Sequence, residues 1–347
     1  MKILFIVPYP VEGPSNRFRV EQYLPFLREK GMEYDIRPFC NSGFYSILLM
    51  RGHLIRKFLY LLLFTAGRAL DLLRALKCDV VFIHREAFPL KDRVFEWLFR
   101  KCAKRLIYDF DDAVFLKKPA KTRSITALAD QVIAGNRFLK EYAINYNRKV
   151  CIIPTCIDTD LYKPGTRAQA QDKVIIGWMG TYTTSAYLAS LTEVFEELSI
   201  KYRGRIEFRI VGGGAYDGEA GLPFAIRRWH LDKELNELQE FDIGIMPMPD
   251  EEWTRGKCAF KIIQYMSVGI PAVASPVGMN SEIIKEGSNG FFASTVDEWC
   301  DKLSLLIESP DRRRQMGSFG RKTVVDKYSL KVNGPKFMEV LTNTDNV

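Results

Sequence analysis

The sequence is poor in the residues that metal and nucleophile chemistry require. It has three histidines, His53, His84 and His230, and none stands near Cys, Asp or Glu at a metal-ligand spacing. That removes the common zinc frameworks, and no metal site is expected. The seven cysteines are odd in number and form no CxxC pair, Cys151 and Cys156 being the closest. MKILFIVPYP carries no cleavage signal, so reduced thiols in a cytoplasmic protein are the expectation. No G-x-S-x-G is present, and Gly256-Lys257 lacks the upstream glycine of a Walker A loop. Serine-hydrolase and P-loop chemistry therefore lose their support. Long apolar runs are missing too: in the most apolar segment the longest uncharged stretch, 58–67, is ten residues. A membrane span needs roughly 20.

What is present is ordinary soluble composition in a chain of 347 residues with 47% apolar content. That length suffices for two cores of roughly 100–200 residues each. The net charge of +8 is unevenly placed. Residues 1–170 hold 29 Lys and Arg against 17 Asp and Glu, a balance of +12; residues 171–347 hold 21 against 25, a balance of −4. A basic first half is expected to meet something anionic. With no RNA-binding motif, an anionic membrane surface is preferred over nucleic acid, with the protein peripheral on the inner face of the membrane. Segment 44–77 is the focus, with Arg51, Arg56, Lys57, Arg68, Arg74 and Lys77 set among apolar residues against one acid, Asp71. It fits a helix pair packed on a core or an interfacial helix.

Lys2–Val7 (KILFIV), 79–83 (DVVFI), Arg105–Phe110 (RLIYDF), 174–179 (VIIGWM), 206–211 (IEFRIV) and 241–246 (FDIGIM) are mostly apolar runs. Glu33–Pro38, 130–134 and 150–154 complete the first set. Such runs suit parallel strands buried on both faces. Polar residues gather where the runs stop: Gly13, Arg17 and Arg19; Arg85 and Glu86; Asp109, Asp111 and Asp112; Gly180 and Thr181; Gly212 and Gly213. Open α/β sheets bind ligands at that end of their strands. The fold class is α/β, with a domain boundary in 164–172, where Pro, Gly and polar residues cluster.

The most informative stretch is 254–292, TRGKCAFKIIQYMSVGIPAVASPVGMNSEIIKEGSNGFF. Ala259, Phe260, Ile262, Ile263 and Met266 share one side of a helical period, and Lys257, Lys261 and Gln264 line the other. Gly269 and Pro271 stop the helix. Lysines at the start of a helix make an anion site, because free N–H groups, dipole and ammonium point one way. The residues alone leave a solvated polar face as an equal alternative.

This stretch resembles the donor-binding signature of retaining GT-B glycosyltransferases, family four. Members carry Glu, seven residues and Glu, ending in a helix like EAMACG followed by PVVAS.VGG..EII. Here QYMSVGIPAVASPVGMNSEII and GSNGFF match the tail, while Gln264 stands at the second glutamate and Gly256 at the first. A subgroup with Lys three residues before the second position is the better match, and Lys261 fills that place. IPTCIDTDLYKPG, in turn, is similar to the family's IPNGID...F.P element.

The resemblance implies two Rossmann-like domains with parallel sheets facing a central cleft: an acceptor domain at 1–168, a nucleotide-sugar donor domain at 169–330, and a tail at 331–347 returning toward the first. It implies transfer of a hexosyl group to a glycan or lipid-linked acceptor in polysaccharide or glycoconjugate synthesis, with no cofactor and no metal. The Asp109-x-Asp111 pair is similar to a GT-A metal site, but the second half fits GT-B. By the resemblance, Gly13, Gly180, Thr181, Gly212, Gly213, Arg255, Gln264 and Gly278 serve the donor. Arg17, Arg19, Arg85, Glu86, Asp111 and Asp112 serve the acceptor, and Lys261, Lys257 and Asp109 serve catalysis. Thr181 replaces the arginine that members use on the diphosphate, which places the neutralising charge on Lys257, Lys261 or Arg255. A non-catalytic nucleotide-sugar-binding protein and a GT-B-fold epimerase are the alternatives, separated by whether labelled donor is transferred, retained or isomerised.

Overall fold

The computed structural model describes residues 1–342 except 49, 51, 91, 166–172 and 217. It divides into two compact units, Met1–Cys156 with Asn333–Val347, and Ile157–Val332. The boundary expected in 164–172 falls mostly on 166–172, outside the described residues.

Among the described residues, the first unit holds a six-stranded parallel sheet. Its strands are β1 (Lys2–Val7), β2 (Glu33–Pro38), β3 (Val80–His84), β4 (Arg105–Phe110), β5 (Gln131–Ala134) and β6 (Val150–Ile152), in the order β2-β1-β3-β4-β5-β6. Residues Ile3 to Val7 of β1 and Val81 to Ile83 of β3 have no solvent exposure, as strands covered on both faces should not. In-register pairs such as Ile83 with Tyr108 and His84 with Asp109 bring the carboxyl ends of β3 and β4 side by side. Within the same unit, Phe337 of the helix Leu330–Thr342 stacks on Tyr23 at 4.1 Å, and Arg105 donates to the Leu341 carbonyl.

The second unit repeats the plan with β7 (Val174–Gly180), β8 (Ile206–Gly212), β9 (Phe224–Arg227), β10 (Ile243–Met246), β11 (Ala272–Ala274) and β12 (Gly290–Phe292), in the order β12-β11-β10-β7-β8-β9. Among the described residues its strand pairings are all parallel. Two strand glycines admit large rings. A Cβ on Gly177 would lie 2.1 Å from the Phe241 ring, and one on Gly244 2.3 Å from that of Tyr265. Tyr265 belongs to the helix Phe260–Ser267, accepts from the Met179 N–H and donates to the Ile245 carbonyl. That helix is thereby fixed against β7 and β10, which decides where Lys261 points.

The 22-residue helix Leu54–Ala75 packs on the first unit through one face only. Arg68, expected among the surface basic residues, is instead buried: it bonds Asp71 at 3.2 Å and the Arg37 carbonyl at 3.1 Å. Burial pulls its pKa down to about 10. Arg51 lies outside the described residues.

Candidate functional site

In the second unit the site grows from the joined ends of β7 and β8, where Gly180 pairs with Gly212. Gly212 and Gly213 take positive φ of 84° and 81°, and a Cβ on Gly212 would sit 2.1 Å from the Gly180 carbonyl oxygen. Only glycine permits both the conformation and the close approach. Gly213 donates its N–H to that same carbonyl at 3.1 Å. Lys261 reaches this corner: its Cε would lie 2.7 Å from a Cβ on Gly180, its ammonium stands 5.2 Å over the Trp178 ring, and it is 3.4 Å from Thr184 Oγ1. Thr181 opens the adjoining turn, with its carbonyl accepting from Thr184 and Ser185. Gly180, Thr181, Gly212, Gly213 and Lys261 are therefore brought together.

Lys257 is not. The helix begins at Phe260, and Ala259 before it is left-handed with φ 49°. This breaks the four-residue phase that would have aligned Lys257 with Lys261, and the Lys257 ammonium lies over Trp253 instead, at 5.3 Å. Arg255 makes a two-point contact with Asp250 at 2.6 and 3.0 Å. Gly278 packs on the Arg255 backbone, where a Cβ would meet its carbonyl oxygen at 2.8 Å.

Gln264 is buried rather than on an open polar face, and its amide donates to Glu234 Oε1 at 3.3 Å. The buried Glu234 carboxylate also accepts from Tyr162 Oη at 2.7 Å and Trp229 Nε1 at 2.8 Å. Sequence reasoning missed this residue. A usable signal existed: Glu234 and Leu238 are one turn apart and both face inward, so an acid sits on the apolar side of its helix.

In the first unit β1, β3 and β4 end at one edge, and their polar residues meet there. Asp109 has no exposure; it pairs with Arg19 and lies 2.6 Å from His84 Nδ1. Arg19, exposed to 2%, also donates to the Ile153 carbonyl at 2.7 Å. Asp109 and Arg19, expected in catalysis and acceptor contact, thus have their charges turned on each other inside the sheet edge. Above them His84 Nε2 lies 2.7 Å from Ser15 Oγ, which donates to Asp111 at 2.9 Å. Arg85 bonds Asp111 at 2.7 Å and also pairs with Asp112. Burial pushes Asp111 up, but Arg85, His84 and Arg19 outweigh it and hold the carboxyl well below the usual range. Asp109 is likewise lowered, Arg19 and His84 overcoming its burial.

Arg85 has φ 59°, and with Ala259 and His53 it is one of three non-glycine residues at positive φ among those described. Two of the three thus stand at the candidate sites, where such backbone strain tends to collect. Glu86 pairs with Lys118 at 2.6 Å, Arg17 lies over the Phe18 ring, and a Cβ on Gly13 would be 2.6 Å from that of Tyr9. Among the described residues no group of three or more His, Cys, Asp and Glu is arranged to hold a metal ion.

Residues 173–309 match the family described as glycosyl transferases group 1. No curated protein matches the sequence. Several solved structures share the whole fold. HepE from Anabaena, solved with UDP-glucose, is 16% identical with a TM-score of 0.72, covering 99% of both chains. A glycosyltransferase from Rickettsia africae is 17% identical with a TM-score of 0.70 and the same coverage. Sucrose-phosphate synthase from Thermosynechococcus elongatus is 13% identical with a TM-score of 0.73, covering 98% of each. The fold is that of the GT-B glycosyltransferases. The segment that matches the group 1 glycosyl transferase family spans most of the second unit.

Proposed function

We propose that the protein takes a hexosyl group from a UDP-sugar and passes it, with retained anomeric configuration, to a glycan or lipid-linked acceptor in cell-surface polysaccharide or glycoconjugate synthesis. The observation that carries this reading is the Lys261 ammonium held against Gly180, where β7 and β8 meet in glycines. A diphosphate there finds bare backbone and a cation, and charge on the leaving group is what the site must stabilise as the glycosidic bond breaks. Gln264, oriented by Glu234, contacts the donor ribose in place of the glutamate that related enzymes carry. The bond from the anomeric carbon to phosphate oxygen breaks while the acceptor oxygen adds on the same face. The acceptor proton passes to the departing phosphate, so no enzyme nucleophile takes part. Arg85, Asp111 and Asp112 serve acceptor hydroxyls from the first unit.

One comparison favours a UDP-sugar donor, and a second favours a hexosyl group. HepE has been solved with UDP-glucose and with UDP. The galactosyltransferase WaaB, of the lipopolysaccharide outer core, is 14% identical with a TM-score of 0.62. The test is incubation with labelled UDP-glucose and UDP-galactose beside GDP-mannose. Label appearing on an acceptor supports the reading; isomerised free sugar or unchanged donor with every nucleotide would sink it.

A further inference from the structure

The helix Leu54–Ala75 has two apolar faces, and only one of them meets the protein. Phe64, Arg68, Asp71 and Ala75 turn inward, the last three fully buried. On the opposite side Ile55, Leu59, Leu62, Ala66, Ala69, Leu73 and the following Leu76 recur at three- and four-residue spacing. The five large ones are 53% to 79% exposed. The stripe runs the length of a helix about 33 Å long. Beside it, on the helix Val94–Cys102, Val94 and Trp97 also face outward, and the Lys101 ammonium stands over the Trp97 ring at 5.7 Å. Contiguous apolar surface of this extent marks an interaction face.

The charges around it select the occupant. Arg56 and Lys77 are exposed along the helix, and Arg93 and Lys101 beside it. The one acid of 54–77, Asp71, is buried among Arg37, Arg68 and Arg74. Among the described residues, the only exposed acid within or directly flanking the second helix in sequence is Asp92. A second copy laid antiparallel on this stripe would set cation against cation. An anionic lipid surface meets both features, taking the leucines below its headgroups and the cations at them. Among the described residues no helix is long and apolar enough to cross a membrane, and Arg56, Lys57, Arg68 and Asp71 interrupt this one.

We propose that this face is a monotopic docking surface for anionic lipid bilayers, the helix Leu54–Ala75 lying in the plane of the interface with Trp97 at headgroup level. The proposal is independent of the donor reading, since it concerns neither Lys261 nor the sheet edges. The test is flotation of the full chain with phosphatidylcholine vesicles, with and without phosphatidylglycerol, at low and high salt. Binding is expected to require phosphatidylglycerol and to fall with salt. Leu59→Glu with Leu73→Glu should lower the partition coefficient at least about tenfold. Arg56→Glu with Lys77→Glu should do the same, each basic side chain near an anionic leaflet being worth about a factor of five. All four positions are exposed, and unchanged unfolding temperatures and UDP binding certify the variants. Equal flotation with neutral vesicles would overturn the anionic assignment. A dimer that Leu59→Glu dissociates, with no flotation on either vesicle, would overturn the proposal in favour of a second copy.

Discussion

At the end of β4, Asp109, Asp111 and Asp112 stand beside Arg19, His84 and Arg85, each carboxylate in contact with a cation or an imidazole. At the end of β7, Lys261 stands over Trp178 against bare glycine backbone. The two sheet edges occupy corresponding positions in similar folds, yet their charges do different things. Removing one partner of a buried ion pair costs about 3–5 kcal/mol, so the deep Arg19–Asp109 pair is costly to disturb. The Lys261 ammonium meets the Trp178 ring and the Thr184 hydroxyl, and a cation over a ring at a partly exposed site is worth about 0.5–1 kcal/mol. The first edge commits several charges to buried pairs, whereas the second presents one lysine beside glycine backbone.

The comparison is broken most directly by Lys261→Ala. We expect turnover to drop about 100-fold or more, the scale of removing one transition-state donor, with the unfolding temperature unchanged. Sugar transfer at the wild-type rate would move the phosphate site elsewhere. Asp109→Asn should act in the opposite sense. It leaves Arg19 charged, buried and without its carboxylate, and should lower unfolding free energy by about 3–5 kcal/mol in urea titrations. An equally stable variant that has lost transfer would instead make Asp109 catalytic.

A good part of this was legible in the residues. The runs of β1, β4, β7 and β10 announce themselves because strands covered on both faces must be apolar throughout, and the glycines at 180, 212 and 213 mark where backbone must come close. β9 and β12 lie at sheet edges, and the three residues of β12 are too few for a periodic signal. The Arg19–Asp109 pair could not be read either, because its members are 90 residues apart and meet only through the order of the parallel sheet. The left-handed Ala259, which breaks the helical phase between Lys257 and Lys261, is revealed by no side-chain pattern. Arg68 counts as one more surface cation until the buried Asp71 beside it is seen.

Smaller effects sharpen the same contrast. Glu234→Gln should weaken UDP binding about tenfold by removing the charged acceptor that orients Gln264, without altering flotation; unchanged affinity would detach Glu234 from the site. The acid response belongs to the first unit. Asp109 and Asp111 titrate below their unfolded value of about 3.9 because arginines hold their charged forms. Their contribution is therefore fully present above about pH 4, and it is lost as the pH falls toward the depressed folded values. Unfolding free energy should fall more steeply below about pH 4 in the wild type than in Asp111→Asn. Identical slopes would show that the network does not set acid stability.

The central claim, that nucleoside diphosphate is held by Lys261 at the glycine ends of β7 and β8, is tested most directly by calorimetric titration of UDP into the wild type and Lys261→Ala. The account predicts measurable UDP binding that adds about 2.7 kcal/mol of stability at 100 times its dissociation constant, and at least about tenfold weaker binding in the variant. Equal affinity in the two proteins would contradict it.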